Sequence, residues 1–241
     1  MSENARLAGK VAGVTGASKG LGRALAFAFA MEGANVVVNS RSEESVGPVA
    51  KEIADAGGEV LAVAADVSKP EGAKRLADET AERFENIDVL VNNAGLLGSR
   101  VPIEQYPDDE WVAVMEANAN GVFFVAKYAI PYLAEGASII NLVSGASVGA
   151  RPNWGAYSVS KFAVEGFTGN LALELEDRNI RVNAVDPGGM RTEMRASAYP
   201  DEDPQTKITP EENTAVFLYL ASDDSRGVTG QRFKAQEFGG R

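Results

Sequence analysis

The sequence predicts one α/β domain, built on a doubly wound, seven-stranded parallel sheet with helices on both faces. Short runs rich in β-branched residues alternate with longer helical stretches along all 241 residues. Nearly all of the short runs are apolar without alternation, as expected for strands buried on both faces of a parallel sheet. The alternation of strands with helices along the chain implies right-handed crossover connections between parallel strands. A chain of this length fits one domain, residues 1–241, without a linker.

The elements follow in order from composition and from start signals. Seven β-rich segments are predicted as strands: residues 11–15, 35–40, 60–65, 88–92, 138–144, 181–185 and 231–234. Six segments with helical spacing are predicted as helices: residues 21–32, 42–56, 70–84, 109–134, 155–178 and 210–221. Residues 193–208 contain two prolines and an acidic patch and are predicted to be irregular. Residues 189–209 are expected to form a substrate lid.

The composition excludes several kinds of site. The chain has neither Cys nor His, which excludes disulfides, a thiol nucleophile, a Ser-His-Asp triad and zinc sites built on Cys or His. Acid–base chemistry is left to carboxylates, Lys and Tyr, and no metal is expected. A net charge of −11 and the lack of a basic stripe argue against nucleic acid. No apolar run reaches a membrane span and no secretory leader is evident, so we expect a cytoplasmic protein.

A glycine-rich turn follows the first strand and leads directly into a helix. Its sequence, residues 15–22, is Thr-Gly-Ala-Ser-Lys-Gly-Leu-Gly. Glycines let the backbone approach a pyrophosphate closely, and the helix N-terminus supplies free N–H groups and a positive dipole end. The candidate cofactor contacts here are Gly16, Ser18, Lys19, Gly20, Leu21 and Gly22. A plain strand–helix connection is the alternative, but the required flanking elements are both predicted.

The end of the second strand indicates which dinucleotide is bound. A cofactor with a free 2′-hydroxyl usually meets an acid there, whereas this strand ends in Ser40 and Arg41. The planar fork of Arg41 suits a 2′-phosphate, and Lys19 could add a second positive charge. The sequence therefore favours NADP(H) over NAD(H). The alternative is that both cations are solvated surface residues.

Tyr157 and Lys161 form a candidate acid–base pair, because residues four apart share one face of a predicted helix. A free Tyr titrates near pH ~10, too high for efficient proton transfer at neutral pH. We expect the Lys161 ammonium to lower the pKa of Tyr157 by ~2–3 units, which requires about 3–4 kcal/mol. An accidental surface pair is the alternative.

The chain resembles the short-chain dehydrogenase/reductase family along nearly its whole length. The glycine spacing and the Tyr157–Lys161 spacing both fit that family's motifs. Asn118 and Ser144 fall where the family has further active-site residues. The remaining matches to cofactor motifs are Asp66 and Val67 at the adenine, Asn93, Ala94 and Gly95 after the fourth strand, and Pro187, Gly188, Met190 and Thr192 near the nicotinamide.

This resemblance implies a Rossmann-type NADP(H)-dependent oxidoreductase that interconverts a carbonyl and a primary or secondary alcohol. It implies that Tyr157 exchanges the proton, Ser144 bonds the carbonyl oxygen, Lys161 tunes Tyr157 and binds the nicotinamide ribose, and Asn118 holds a water. The substrate stays open between a 3-oxoacyl thioester, a sugar or polyol, and varied aldehydes or ketones. A sensor that binds NADP(H) without turnover is the alternative of another class.

The resemblance also raises questions about assembly and pocket walls. The helices at 109–134 and 155–178 resemble those of the family's four-helix interfaces. A homotetramer is therefore the expected assembly, and a dimer is the second candidate. Residues 234–241 depart from the family's Val-Asp-Gly-Gly-like ending, which puts one pocket wall and some subunit contacts in doubt. Trp154 could line the pocket or simply pack. Three arginines could bind an anion or be solvated: Arg151, Arg191 and Arg195.

Overall fold

The computed structural model of the protein describes residues 5–239. Its strands are β1 (Val11–Val14), β2 (Asn35–Ser40), β3 (Val60–Ala64), β4 (Ile87–Asn92), β5 (Leu133–Leu142), β6 (Arg181–Asp186) and β7 (Arg232–Lys234). They form one seven-stranded sheet in the order β3-β2-β1-β4-β5-β6-β7, and every pairing is parallel. The predicted doubly wound sheet is confirmed.

Residues 5–239 contain eight α-helices: α1 (Gly20–Met31), α2 (Glu43–Asp55), α3 (Pro70–Phe84), α4 (Asp108–Met115), α5 (Gly121–Ala129), α6 (Gly155–Glu174), α7 (Glu193–Ala198) and α8 (Ala215–Ala221). In this part of the chain, no helix is both long enough and apolar enough to cross a bilayer.

Helices cover both faces of the sheet because its strands bury side chains in both directions. Val36 and Val38 point into one core cluster with Phe29 of α1 and Phe217 of α8. Val37, between them, points into a second cluster with helices α3, α5 and α6. The strand order reverses between β1 and β4, and crevices for ligands form at such switch points, beyond the carboxyl ends of the strands.

The prediction of one helix over residues 109–134 is wrong. α4 ends at Met115, a π-helical turn spans Glu116–Asn120, and α5 ends at Ala129. Pro131 lacks an N–H and cannot continue a helix, so a short 3₁₀ turn follows. β5 then begins at Leu133, which pairs with Ile87, rather than at residue 138. Residues at the end of the predicted helix therefore belong to a strand of the sheet.

Three further segments differ from prediction by more than two residues. The helix predicted to reach residue 178 ends at Glu174, and a 3₁₀ turn over Glu176–Arg178 follows. The segment at 210–221 starts with a 3₁₀ turn over Glu211–Asn213, and α8 begins only at Ala215. Residues 193–208 are not wholly irregular, because they contain α7 and a 3₁₀ turn.

Candidate active site

The glycine-rich turn is fastened to the end of β4 by a small hydrogen-bond network. The Thr15 hydroxyl accepts bonds from the backbone N–H groups of Asn93 (3.0 Å) and Ala94 (3.1 Å). The Asn93 amide donates to the carbonyls of Thr15 (2.9 Å) and Gly16 (3.1 Å). A Cβ at Gly22 would lie 2.4 Å from the Gly16 carbonyl oxygen, so the turn tolerates only glycine there. The two predicted cofactor motifs therefore form one rigid unit.

The N-terminus of α1 provides an anion cradle at this unit. Across the described residues no side chain caps α1, so the amides of residues 20–22 stay open to a ligand. Gly20 has φ +56 and faces the Thr192 methyl group, 3.6 Å from where its own Cβ would be. Open amides, the helix dipole and the absence of bulk suit a pyrophosphate, so the residues present fit a dinucleotide. Leu21 is buried and packs into the core, and Ser18 is half-buried.

The positions predicted to contact the adenosine ribose lie at the end of β2, where Ser40 is buried and Arg41 is exposed. The Ser40 hydroxyl lies 2.6 Å from that of Ser45, at the start of α2. Arg41 is exposed and has no ion-pair partner within residues 5–239. Lys19 is also exposed, but it forms an ion pair with Glu193 of α7. Arg41 is therefore available for a phosphate, whereas Lys19 already links the glycine-rich turn to the lid.

The two positions predicted at the adenine follow β3. Asp66 is exposed, and its carboxylate accepts a bond from the backbone N–H of Ser68 at 3.0 Å. Val67 is buried in the second core cluster. Asp66 can therefore face a ligand, and Val67 anchors the turn.

Tyr157 and Lys161 lie one turn apart on α6, as predicted; Lys161 is buried and Tyr157 is half-buried. The Lys161 ammonium donates a 2.8 Å bond to the carbonyl of Leu142, at the end of β5. It lies 5.8 Å from the centre of the Tyr157 ring. Ser144 follows β5, and its hydroxyl accepts a bond from the N–H of Ala146 at 3.2 Å. The three predicted side chains thus meet at the carboxyl edge of the sheet.

The electrostatics of this cluster differ from the expectation. Burial raises the pKa of Tyr157, hydrogen bonding with Ser144 lowers it, and the charge of Asp186 raises it further. Burial also lowers the pKa of Lys161 to about 8. The expected net lowering of the pKa of Tyr157 is therefore wrong for this geometry. The ammonium bonds a backbone carbonyl, and desolvation of the phenol dominates.

Asn118 lies in the π-helical turn and is fully buried. Its amide oxygen accepts a bond from the N–H of Leu96 (2.7 Å), and its amide nitrogen donates to the carbonyl of Leu96 (2.8 Å). The same nitrogen donates to the Ser160 hydroxyl at 3.1 Å. Asn118 therefore holds the loop after β4, which contains Gly95, against α6. Its predicted water contact stays a prediction.

The turn after β6 forms the wall opposite α1. The Asp186 carboxylate accepts a 3.0 Å bond from the N–H of Gly188, which has φ +69. Met190 is buried, and the side chain of Thr192 caps α7 by accepting from the N–H of Arg195 at 3.2 Å. This segment fixes Pro187 beside the Tyr157 cluster, as a nicotinamide-side wall requires.

Two of the three candidate anion-binding arginines serve the lid itself. Arg191 donates to the carbonyls of Pro204 (3.1 Å) and Lys207 (3.3 Å). Arg195 bonds both carboxylate oxygens of Glu202 at 2.6 and 2.7 Å. Hydrogen bonding with Arg195 lowers the pKa of Glu202 to about 2. These contacts stabilise residues 191–207 internally. Of the three candidate arginines, Arg151 at the rim of the cleft is the one without such contacts to the lid.

A cleft of about 460 Å³ opens in front of Tyr157. Trp154 lines it, with its ring centre 5.6 Å from that of Tyr157 and 6.2 Å from that of Tyr199 on the lid. The Arg100 guanidinium lies over the rings of Trp154 and Tyr199, at 4.8 and 4.7 Å. Trp154 is therefore a wall of the pocket, and the aromatic group connects that wall to the lid.

The atypical C-terminal segment forms the remaining wall. The Gln236 amide donates to the carbonyls of Pro187 (3.0 Å) and Gly189 (2.9 Å), and Lys234 pairs with Glu237. The pocket wall placed in doubt by the sequence is thus present. Sequence reasoning missed Gln236, although the departure from the family's ending marked its segment. The last two residues, 240–241, lie outside the described residues, and the subunit contacts stay untested.

We expect Gln236→Leu to raise KM for the substrate about 5–30-fold with kcat within about twofold, because two bonds worth ~0.5–1 kcal/mol each no longer order the 187–189 turn. Steady-state kinetics and thermal melting measure this, and Tm should fall by no more than about 8 °C. Glu237→Gln, in the same segment without a bond to the turn, is the matched control. Equal changes in both variants would contradict the assignment.

Comparison with known proteins relates this arrangement to a large family. Residues 10–203 match the family described as short chain dehydrogenase. The chain is 40% identical over 230 residues to an uncharacterized oxidoreductase of Escherichia coli (strain K12), covering 92% of this chain and 90% of that protein. It is 37% identical over 237 residues to the 3-oxoacyl-(acyl-carrier-protein) reductase of Thermotoga maritima, covering 94% and 96%.

Solved structures show the same likeness in three dimensions. A short-chain dehydrogenase from Escherichia coli CFT073, complexed with NADPH, superposes with a TM-score of 0.91 at 38% identity. That likeness covers 98% of this chain and 100% of the other.

Proposed function

The chain belongs to the short-chain dehydrogenase/reductase family, and on that premise we propose that it is an NADP(H)-dependent enzyme interconverting a carbonyl and an alcohol. The observation that supports this is the meeting of three side chains beside the 187–192 turn: Tyr157 and Ser144 line one cleft, and the buried Lys161 lies next to the Tyr157 ring. A bound nicotinamide would supply or accept the hydride. A small-molecule carbonyl or alcohol is the proposed substrate.

Each residue of the cluster has a proposed role in the reduction direction. Ser144 donates a hydrogen bond to the carbonyl oxygen, and Tyr157 delivers its proton to that oxygen as charge develops. The buried Lys161, also proposed to bind the nicotinamide ribose, offsets the phenolate that forms. Asn118 keeps the cluster in register through Leu96 and Ser160.

NADP(H) is the proposed cofactor because the end of β2 offers a free cation and no acid. Arg41 would pair with the 2′-phosphate, and the open amides of residues 20–22 would hold the pyrophosphate. The NADPH complex of the Escherichia coli CFT073 relative supports the same cofactor.

For Arg41→Ala we expect KM for NADPH to rise about 10–100-fold, since a charge-assisted phosphate contact contributes about 1.5–3 kcal/mol. KM for NADH should stay within about twofold. The steady-state ratio of the two cofactors measures this, and Arg23→Ala, a neighbouring cation paired with Glu52, is the matched control. An equal loss with both cofactors would refute the role of Arg41.

A carbonyl panel tests the proposed activity. NADPH oxidation is followed by absorbance with aldehydes, ketones and acetoacetyl thioesters, and NADP⁺ reduction with sugars and polyols. Turnover that prefers NADPH supports the proposal and identifies the substrate class. Tight NADPH binding without turnover across the panel would overturn it in favour of a sensor.

A 3-oxoacyl thioester is the second candidate substrate. It is favoured by the likeness to the 3-oxoacyl-(acyl-carrier-protein) reductase of Thermotoga maritima, which spans nearly the full length of both chains. Faster turnover of acetoacetyl thioesters than of simple ketones would favour it.

We propose a homotetramer, with a dimer as the next candidate, on the basis of exposed apolar side chains. Val112 and Phe123 on the α4–α5 side, and Val159, Phe162 and Leu173 on α6, are each 44–74% exposed. Patches of this kind on helices mark interfaces between subunits. Light scattering coupled to size exclusion measures the mass, and a monomer would contradict the proposal.

A further inference from the structure

Behind the floor of the cleft lies a charged cluster to which the proposed reaction assigns no role. Its centre is Arg232 on β7. The Arg232 guanidinium donates to the carboxylates of Glu165 (2.9 Å) and Asp186 (2.9 Å) and to the main-chain carbonyl of Ser144 (3.1 Å). The Ser147 hydroxyl completes the cluster by donating to Glu165 at 2.8 Å. One side chain thus joins β7 to the ends of β5 and β6 and to α6.

The cluster holds one positive and two negative charges in poorly solvated surroundings. The side chains of Arg232 and Glu165 are each 22% exposed, and that of Asp186 is 11% exposed. Burial lowers the pKa of Arg232, but bonds to Glu165 and Asp186 outweigh it and raise that pKa overall. Solvent screens such charges weakly, so their effect reaches neighbouring groups.

Asp186 connects the cluster to the proposed acid. Asp186 and Tyr157 both line the cleft. One oxygen of the Asp186 carboxylate accepts from the N–H of Gly188, and the other accepts from Arg232. Without Arg232, this carboxylate would face the phenol with its full negative charge, and the Ser144 carbonyl would lose a donor.

We propose that Arg232 is a positioning residue: it holds Ser144 and Asp186 in place beside Tyr157 and neutralises the Asp186 carboxylate. This role rests on the proposed function of Tyr157 as the acid and base. It is electrostatic as well as geometric, because the same guanidinium nitrogen contacts both Ser144 and Asp186.

Other charged groups also face Tyr157, and they come from several elements. Lys161 approaches from α6 and Asp186 from β6. At the cleft rim lie Arg151 from the loop after β5, Arg195 from α7, and Lys234 and Glu237 from the end of the chain. Arg195 is paired with Glu202, and Lys234 with Glu237, so these rim pairs are locally neutral. Of the groups described, Lys161, Arg151 and the Asp186–Arg232 pair are therefore the ones left to set the field at the phenol.

The expected effect has a definite sign. In alcohol oxidation Tyr157 must be deprotonated, so kcat/KM rises with pH through its apparent pKa. Arg232→Met exposes the phenol to uncompensated carboxylates, which disfavours the phenolate. The profile should move towards alkaline pH by roughly one unit, the effect of a charge several ångströms away at an effective dielectric constant of about 20.

The experiment compares pH profiles of kcat/KM for alcohol oxidation with NADP⁺ in four variants. Arg232→Met should shift the profile to alkaline pH, and Asp186→Asn should shift it to acid pH. The variant that combines Arg232→Met with Asp186→Asn should have an apparent pKa within about 0.3 units of the wild-type value, because both charges are removed together. Arg232→Lys keeps the charge and should restore most of the profile.

A second readout does not depend on turnover. Ultraviolet titration of tyrosinate, with the Tyr157→Phe titration subtracted, reports the ionisation of Tyr157 directly. The protein could be inactive on every carbonyl while this titration still shifts in the predicted directions. That result would refute the proposed function but would retain the effect of Arg232 on the ionisation of Tyr157. If Arg232→Met does not fold, Asp186→Asn and Arg232→Lys still test the signs. A uniform fall in kcat/KM with an unchanged apparent pKa would overturn the proposal and leave Arg232 a purely structural residue.

Discussion

Replacing Tyr157 with Phe is expected to lower kcat for carbonyl reduction by about 10²–10⁴-fold, the usual contribution of a positioned acid or base. The ring stays in place against Trp154, at 5.6 Å, so the pocket keeps its shape. What is removed is the hydroxyl that we propose delivers the proton to the carbonyl oxygen. NADPH affinity should stay within about twofold, and single-turnover kinetics should locate the loss in the chemical step.

Tyr132→Phe is the matched control for this prediction. Its hydroxyl donates to Asp78 at 3.1 Å, on the side of the sheet covered by α3, and it is not among the residues that line the cleft. Removing it should leave kcat within about twofold. If Tyr157→Phe kept a third or more of the wild-type rate, Tyr157 would not be the acid.

Lys161→Met is expected to lower kcat by about 10²–10³-fold and to change how stability depends on pH. The activity falls because no cation then offsets the phenolate of Tyr157. The wild-type ammonium is held by the Leu142 carbonyl at 2.8 Å and is buried, with a pKa of about 8. Methionine has a similar length and flexibility but cannot carry charge.

The pH dependence follows from the direction of the shift. The folded pKa of Lys161, about 8, is below the ordinary value of 10.5, so between these values the unfolded state binds more protons. Stability therefore rises with pH across that window, by at most about 3 kcal/mol, and the gain is lost as pH falls through 8. Lys161→Met removes this contribution. The difference between the two unfolding free energies, measured in urea from pH 7.5 to 10.5, should follow the same curve.

Lys127→Met is the control for the loss of a lysine charge, because Lys127 is exposed on α5 and does not line the cleft. A flat difference curve for Lys161→Met would mean that Lys161 keeps its ordinary pKa in the folded protein. Full activity of that variant would remove Lys161 from the proposed mechanism.

Much of the fold could be predicted because its signals are local. Val36, Val37 and Val38 are consecutive apolar residues, and only a strand buried on both faces uses all three. The glycines of residues 16–22 indicate a tight turn, because such a turn leaves no room for a side chain at Gly16 or Gly22. A Cβ at Gly22 would collide with the preceding backbone.

The errors lie where distant partners override local preference. The helical pattern over residues 109–134 continues through Asn118, yet this side chain forms three bonds to Leu96 and Ser160 and sits in a π-helical turn. Neither partner is near it in the sequence. Likewise, Leu133 joins the sheet because Ile87 is its neighbour, and no local signal marks that pairing.

By itself, the sequence determined the doubly wound sheet, the glycine-rich turn before α1 and the identities of the candidate site residues, since periodicity, glycine positions and short spacings act within a few residues. Only the tertiary structure decided the electrostatics of the site. Burial and Asp186 raise the pKa of Tyr157, and Arg232 lies 88 residues from Ser144 although the two are 3.1 Å apart. Desolvation and Coulomb interactions depend on distance through space, which separation along the chain does not specify.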